Sequence, residues 1–356
     1  MRLPSLPKSW IHRERPVLGL DMGSHTIKLI EFSGSGTNRV VRRVGRILSP
    51  PHAIVDGSIK EPEKVSEAVK DLLNNVQPKN RHAATSIAGY SVIVKKISVP
   101  YSDEREIEDN LILEAENYVP FEIEEVYIDF HLLEAAASKG GGREIFLVAA
   151  KREVVDEYAN LIQNVGLAPA VVDVDAFALS NAFERSFGLL DEPVALVDIG
   201  AQKTNLNIIM GGMSLFARDM SLGGEQLTEA IKDATGVSYQ EAEELKIAGS
   251  KDKTLMREAA SVIVELCGMW GSELKKALDF YYANSKPNEK PTHLFLSGGS
   301  ALLEGLDKVI GREVKLPAKT FNPLQNLAAD PGIDAEYLSR VAPQMAIASG
   351  LALRTS

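Results

Sequence analysis

An α/β chain of two duplicated lobes, with a smaller βαββα unit inserted in the first, is the fold class this sequence predicts, and three observations carry that prediction. Three apolar strands each run into a turn of small residues: Leu18-Gly19-Leu20-Asp21-Met22-Gly23-Ser24, Val197-Asp198-Ile199-Gly200 and Leu296-Ser297-Gly298-Gly299-Ser300. The order strand, strand, strand, helix occurs twice, and both copies open on apolar-Asp-apolar-Gly, a coincidence that duplication explains better than chance. Residues 91–166 fit neither copy, and 356 residues exceed what one ordinary core holds.

In the first copy a strand from Val17 meets a tight turn, a second strand runs from Thr26 to Phe32, Gly34-Ser35-Gly36 turns the chain, and a third strand covers Arg39 to Ile47. A helix follows from about Glu61 to Asn75, because Val65, Ala68, Val69, Leu72, Leu73 and Val76 recur at three and four residues, as one buried face requires. A further strand covers Ala83 to Ala88. In the second copy the strands are Val194 to Ile199, Lys203 to Met210 and, past Gly211-Gly212, Met213 to Met220, with a helix from Gly224. The strand His293 to Leu296 precedes a helix expected over Ala301 to Ile310.

The inserted stretch reads as strand (Ser91 to Val99), helix (Asp103 to Tyr118), strand (Val126 to Glu134), a Lys139-Gly140-Gly141-Gly142-Arg143 turn, strand (Glu144 to Ala150) and helix (Arg152 to Asn164). Asp103 and Glu106 have capping-box spacing at the start of the first helix, and Pro120 lies beyond its end. The domains are then a flexible tail at 1–16, a first lobe at 17–90 and 167–190, the insertion at 91–166 and a second lobe at 191–356.

Composition narrows the function. The 39 Lys and Arg against 49 Asp and Glu give a net charge of -10, which disfavours a nucleic-acid partner because phosphate contacts need clustered bases. The basic run Arg39, Arg42, Arg43 and Arg46 reads as a solvated strand edge. The single cysteine, Cys267, sits in an apolar helical stretch and reads as core, and the six scattered histidines have no zinc spacing. Residues 1–16 lack a signal-peptide core, and no segment approaches twenty apolar residues, so a cytoplasmic chain without a membrane span is expected.

The turns suggest the chemistry. Asp21 and Asp198, on facing hairpins, would repel phosphate without a cation between them, and Mg²⁺ takes carboxylate and phosphate oxygens while keeping its waters. Backbone N–H groups at Gly23, Ser24 and His25, and at Gly200, Ala201 and Gln202, are placed to donate to phosphate, with Thr26, Thr204 and Lys28 nearby. One Asp-x-Gly is no more than a good turn. Two copies and a third turn make a nucleotide cleft the better reading. Neither a P-loop nor a strand-borne GxGxxG is present.

These segments carry a resemblance. LGLDMGSHTIKLIEF and ALVDIGAQKTNLNII, with SLGGEQL and LFLSGGSALLEGL, resemble the phosphate 1, phosphate 2 and adenosine motifs of the actin-like ATPase superfamily. AENYVPFEIEEVYIDFHLL and AIASGLALR are similar to the type IV pilus PilM family in its FtsA-like branch. The resemblance covers nearly everything from Val17 onward. It implies an actin-like ATPase fold of two duplicated RNase H-like lobes with a 1C-like inserted subdomain, and ATP or ADP with Mg²⁺ between the lobes.

By position, it implies that Asp21 and Asp198 face magnesium, directly or through water, and that Gly23, Ser24, Thr26, Gly200 and Thr204 hold phosphates. Gly223, Gly224, Glu243 and Lys246 would flank ribose and base, and Gly298, Gly299 and Ser300 would lie under the adenosine. Asp175 would stand near the attacking water. Ala201 and Gln202 replace glycines of many relatives, which implies slow hydrolysis, with ATP closing the cleft as a structural ligand.

The resemblance further implies an adaptor that holds the cytoplasmic N-terminal peptide of a single-span membrane protein, PilN in this family, and so lies at the inner membrane through its partners. Other platform and motor components and a homo-oligomer are further expected partners. Glu114, Tyr118, Pro120 and Phe121 are candidates for the peptide groove, though ordinary packing of the insertion explains them as well. Two alternatives compete: a small-molecule kinase, for which only Asp173 and Asp175 offer a base, and an FtsA-like membrane-associated filament-forming ATPase. The latter needs a C-terminal amphipathic anchor, and none is read behind Leu353-Arg354-Thr355-Ser356.

Overall fold

The duplication is visible strand by strand. The computed structural model describes residues 17–137 and 142–355, so the tail at 1–16 with Trp10, residues Lys139 to Gly141 of the glycine turn and Ser356 lie outside the described residues. The first sheet runs Ala168–Val174, His82–Ile87, Leu18–Met22, Thr26–Ser33, Val40–Leu48, with the short Ala328–Ala329 added at its edge. The second runs Ala318–Thr320, His293–Ser297, Val194–Ile199, Thr204–Met210, Met213–Met220. Both sheets therefore share one order, with an antiparallel three-strand meander and two further strands parallel to its first.

Even the irregularities repeat. Asp21 pairs with Lys28 and Asp198 with Asn205 at equivalent positions, and the register shifts at Glu31/Phe32 and at Ile208/Ile209, the same step in each meander. A bulge re-aims the strand beyond it. The helix Pro62–Val76 starts on a proline whose missing N–H costs nothing there, and buries Val65, Ala68, Val69, Leu72 and Leu73 as the periodicity predicts. In the second lobe the long helix Lys253–Asn284 buries Cys267 in the core, and burial pushes its thiol up to about 11.

The lobes are joined by an unusually close contact. Helix Ala346–Ala352 is buried at every position between the strand Leu18–Met22 and the connecting helix Asp175–Phe187. A Cβ on Gly350 would sit 1.7 Å from the Ala178 carbonyl oxygen, so only glycine fits there. Beneath it Phe183, Phe187, Phe295 and Phe321 pack ring against ring, with centroids 4.7 to 6.3 Å apart. Arg354 then closes a bidentate pair on buried Asp173, at 2.7 and 3.1 Å, which commits that carboxylate to structure.

The insertion is a three-stranded antiparallel sheet in the order Val92–Val99, Arg143–Lys151, Val126–Ala137. Helix Glu104–Ala115 covers one face, burying Ile107, Leu111 and Ala115 against Ile97, Val99, Ile145 and Leu147. The last helix of the expected unit forms over Arg152–Asn164, but its apolar face, Val154, Val155, Tyr158, Leu161 and Ile162, packs into the first lobe's core.

Two local expectations need correction. The Asp103 carboxylate caps through the Arg105 N–H at 2.7 Å and not through a reciprocal box with Glu106. The helix expected over Ala301 to Ile310 is split, because a 3-10 turn at Ser300–Leu302 breaks at Gly305, whose φ of 78° ends it before Leu306–Val314 begins.

Candidate functional site

Two hairpin tips of identical design face each other across the lobes. Gly23 N–H donates to the Thr26 carbonyl at 3.2 Å, and Gly200 N–H donates to the Lys203 carbonyl at 2.9 Å, so the turn after each aspartate closes the same way. Ser49 braces the first tip, its hydroxyl donating to the Gly23 carbonyl at 2.6 Å. Ser24 and His25 are half-buried at that tip, and the His25 Nδ1 lies 3.0 Å from the Thr26 hydroxyl.

The two aspartates differ electrostatically. Asp21 is paired with Lys28, whose Nζ is 2.8 Å from its Oδ2. Among the described residues, Asp198 has no ion-pair partner and accepts from the Ser297 hydroxyl, 2.8 Å from its Oδ2. Burial pushes the Asp198 carboxyl up to about 6, with Asp21 and Asp175 adding to the rise while Ser297 and Lys28 oppose it. The site therefore holds more buried negative charge than its lysines neutralise, and a cation is the natural complement. Among the described residues no three His, Cys, Asp or Glu side chains gather to hold a metal ion.

In the second lobe three turns are stacked on one another. Gly224 N–H donates to the Gly200 carbonyl at 3.0 Å, Glu225 N–H to the Ala201 carbonyl at 2.9 Å, and the Ser300 hydroxyl to the Gly200 carbonyl at 3.1 Å. A Cβ on Gly223 would meet the Ala201 oxygen at 2.4 Å, and one on Gly298 the Ile199 oxygen at 2.4 Å. Those two glycines serve packing between the turns. Gly299 is different: it is exposed and nothing lies within 4 Å of a Cβ built there, so it borders open space. The Thr204 hydroxyl is fully buried and donates to the Leu222 carbonyl at 2.9 Å, which ties the hairpin to the Leu222-Gly223-Gly224 turn.

Glu243 and Lys246, on helix Tyr239–Ala248, are joined at 2.6 Å. Lys246 also donates to the Gly224 carbonyl at 3.1 Å, and Thr228 donates to Glu243 at 2.5 Å. Burial would raise the Glu243 carboxyl, but the hydrogen bonds from Lys246 and Thr228 outweigh it and hold the group below its ordinary value. Across the cleft, the His25 Nε2 lies 3.8 Å from Glu243. Burial lowers the His25 pKa, Glu243 opposes this, and Lys246, Lys28 and Arg46 reinforce it.

Asp175 starts the connecting helix, and its Oδ2 is 3.1 Å from the Lys203 Nζ. Nearby, the Gln202 side chain accepts from the Asp56 N–H at 3.1 Å, Asp219 accepts from the Gly89 N–H, and the Tyr90 and Ser221 hydroxyls are 3.4 Å apart. These bonds cross from the first lobe to the second. Sequence reasoning found Gln202 as a backbone donor and passed over Lys203, Asp219, Ser297 and Thr228. Nothing in the local sequence marks these four, whose partners lie far along the chain.

The candidate groove residues lie apart from the cleft, around the end of helix Glu104–Ala115. Glu114 is half-buried, Pro120 is exposed, and the rings of Tyr118 and Phe121 pack at the margin of the insertion's core. Lys95 donates to the Tyr118 carbonyl at 3.1 Å, and the Lys151 ammonium stands 4.8 Å over the Phe121 ring. Among the described residues no helix is long and apolar enough to cross a membrane.

Comparison with known proteins matches this architecture. The solved structure described as the PilM-PilN type IV pilus biogenesis complex is 29% identical, with a TM-score of 0.83 over 96% of this chain and 98% of that one. The ethanolamine utilization protein EutJ from Carboxydothermus hydrogenoformans shares the fold at 15% identity and a TM-score of 0.57, over 95% of this chain and 89% of that one. MreB5 of Spiroplasma citri bound to ADP shares it at 12% identity and a TM-score of 0.51, over 94% of each chain. The family described as type IV pilus assembly protein PilM matches residues 19–356, from the first aspartate hairpin to the C-terminal residue, and to that family of actin-like ATPases this chain belongs.

Proposed function

We propose that this chain is an ATP-binding adaptor of the type IV pilus inner-membrane platform. It holds Mg-ATP between its lobes and grips the cytoplasmic N-terminal peptide of a PilN-like single-span membrane protein. The observation that carries the reading is the likeness to the PilM-PilN complex over nearly all of both chains. Nucleotide binding is supported by the paired hairpin tips and by MreB5 of the same fold, solved with ADP and with AMPPNP.

The residues fit magnesium by the chemistry of their donors. Asp21 and Asp198 supply hard oxygen ligands and too few of them to close a shell, which suits an ion that keeps water and phosphate oxygens. Magnesium would supply the positive charge that lets both carboxylates stand beside phosphate. Ser24, His25 and Thr26 from one side, and Ala201 and Gln202 from the other, would donate to phosphate oxygens, while the Gly23 and Gly200 N–H groups, expected to do the same, close the turns instead, and Gly299 would admit the adenosine. The partner peptide would lie between the first lobe and the insertion, extended, with Tyr118 and Phe121 as apolar walls. The chain would then be cytoplasmic and peripheral to the inner membrane through that partner, with the insertion at 91–166 as the reading unit.

Calorimetric titration of the ATP-loaded protein with cytoplasmic N-terminal peptides of single-span membrane proteins encoded beside it tests the proposal. Saturable binding by one of them is expected, and no binding by any would overturn the adaptor reading.

A further inference from the structure

We propose that Lys203 holds Asp175 out of action, so that the cleft stores ATP instead of hydrolysing it. The inference rests on the nucleotide-binding reading above and adds a regulatory residue to that same site.

By the resemblance described above, Asp175 would stand near the attacking water, and it starts the connecting helix beside the second hairpin tip. Its neighbour Asp173 is locked by Arg354, whereas Asp175 acts electrostatically on Asp198, Lys203 and Tyr158. For γ-phosphoryl transfer to water, the bond from the γ-phosphorus to ADP breaks, one to the water oxygen forms, and the water's proton passes to an acceptor. A carboxylate serves as that acceptor when a lone pair is free and aimed at the water. Here Lys203 sits 3.1 Å from Asp175, with the two side chains 29% and 15% exposed. An ion pair so shielded is screened less than a surface pair, and its ammonium occupies the carboxylate oxygen that would otherwise be free to meet the water.

The ammonium is also well kept in place. It belongs to the second hairpin tip, through whose carbonyl the Gly200 turn closes. A Cβ on Gly57 would be 3.8 Å from its Nζ, so the first lobe lies against it from another side. Burial alone would lower the Lys203 pKa, but Asp175, Asp219 and Asp21 outweigh that and hold it raised, so the ammonium keeps its charge at neutral pH. Beside it Gln202 takes the Asp56 N–H. The Gln202 and Lys203 side chains thus tie the second lobe's tip to the first lobe before any ligand arrives.

The test uses the full chain and three variants. Mg-ATP affinity is measured by calorimetry, and phosphate release in single turnover. A third readout, amide exchange at Asp56, is taken without nucleotide. In Lys203→Met the expected outcome is Mg-ATP affinity within about threefold of the parent and phosphate release faster by about a hundredfold, at the low end of what a general base contributes. Asp56 exchange is expected to quicken. In Lys203→Met/Asp175→Asn, release is expected to return to the parent rate, and Lys203→Arg, which keeps the cation, is expected to keep the low rate. Release that is unchanged or slower in Lys203→Met with binding intact, or a rise that survives Asp175→Asn, overturns the proposal while leaving the nucleotide site standing. Unchanged exchange at Asp56 overturns the claim that the pair holds the tip. A parent protein that binds no Mg-ATP overturns both readings together.

Discussion

Replacing Asp198 with asparagine should make the nucleotide-free protein more stable while removing its response to Mg-ATP. Asparagine keeps the shape of the side chain, and its carbonyl oxygen can still accept from the Ser297 hydroxyl, now 2.8 Å from Asp198. What it removes is a half-buried carboxylate whose pKa is raised from 3.8 to about 6 by the loss of water around it. At about 1.4 kcal/mol per pKa unit, a shift of that size corresponds to about 3 kcal/mol. The sign follows from the direction of the shift. Above pH 6 the group is ionised folded and unfolded, so the fold carries the whole penalty; as pH falls through 6 toward 3.8 the folded carboxyl takes up its proton first and the penalty disappears. Asp198→Asn should therefore gain up to about 3 kcal/mol in urea unfolding at pH 8, less at pH 6, and nothing at pH 3.5. Saturating Mg-ATP should stabilise the parent by mass action and leave the variant unmoved. A variant equal to or weaker than the parent at pH 8, or a gap that does not change with pH, would refute the account of Asp198 as a carboxylate buried in wait of a cation.

Three further outcomes are expected. Gly350→Ala puts a methyl 1.7 Å from the Ala178 oxygen, so the closing helix must shift, and a loss of about 2 kcal/mol or more is expected in chemical denaturation. Lys246→Met leaves Glu243 half-buried without its 2.6 Å partner and should cost about 1–3 kcal/mol; adding Glu243→Gln should recover much of that, which a double-mutant cycle reads directly. Phe121→Ala removes the ring that Lys151 covers at 4.8 Å, and peptide affinity in calorimetry should fall by about tenfold, or roughly 1.4 kcal/mol, with Mg-ATP affinity unchanged.

What the sequence made legible was local and periodic. Asp21 and Asp198 are readable because each ends an apolar strand and is followed by a glycine turn, and the shared strand order then follows from repetition. The helix Pro62–Val76 is readable from its apolar spacing. What stayed hidden depends on contacts between distant segments. Nothing local to Gly223 or Gly298 distinguishes a glycine that admits a ligand from one pressed against Ala201 or Ile199, and only their packing separates them from open Gly299. Lys203 and Asp175 lie in different lobes' elements, so their pairing has no spacing signal. The helix Arg152–Asn164 follows the insertion's strands in order, yet the core it fills belongs to the first sheet, and an amphipathic stripe does not say which sheet it will cover.

The most direct measurement of the central claim is amide hydrogen exchange of the full chain with and without Mg-ATP. The account predicts protection concentrated at three separate stretches, Gly23 to Thr26, Gly200 to Thr204 and Gly298 to Ala301, with the Asp56 and Gly89 amides slowed as the lobes close. Protection confined to one lobe, or none at the three turns under saturating nucleotide, would contradict it.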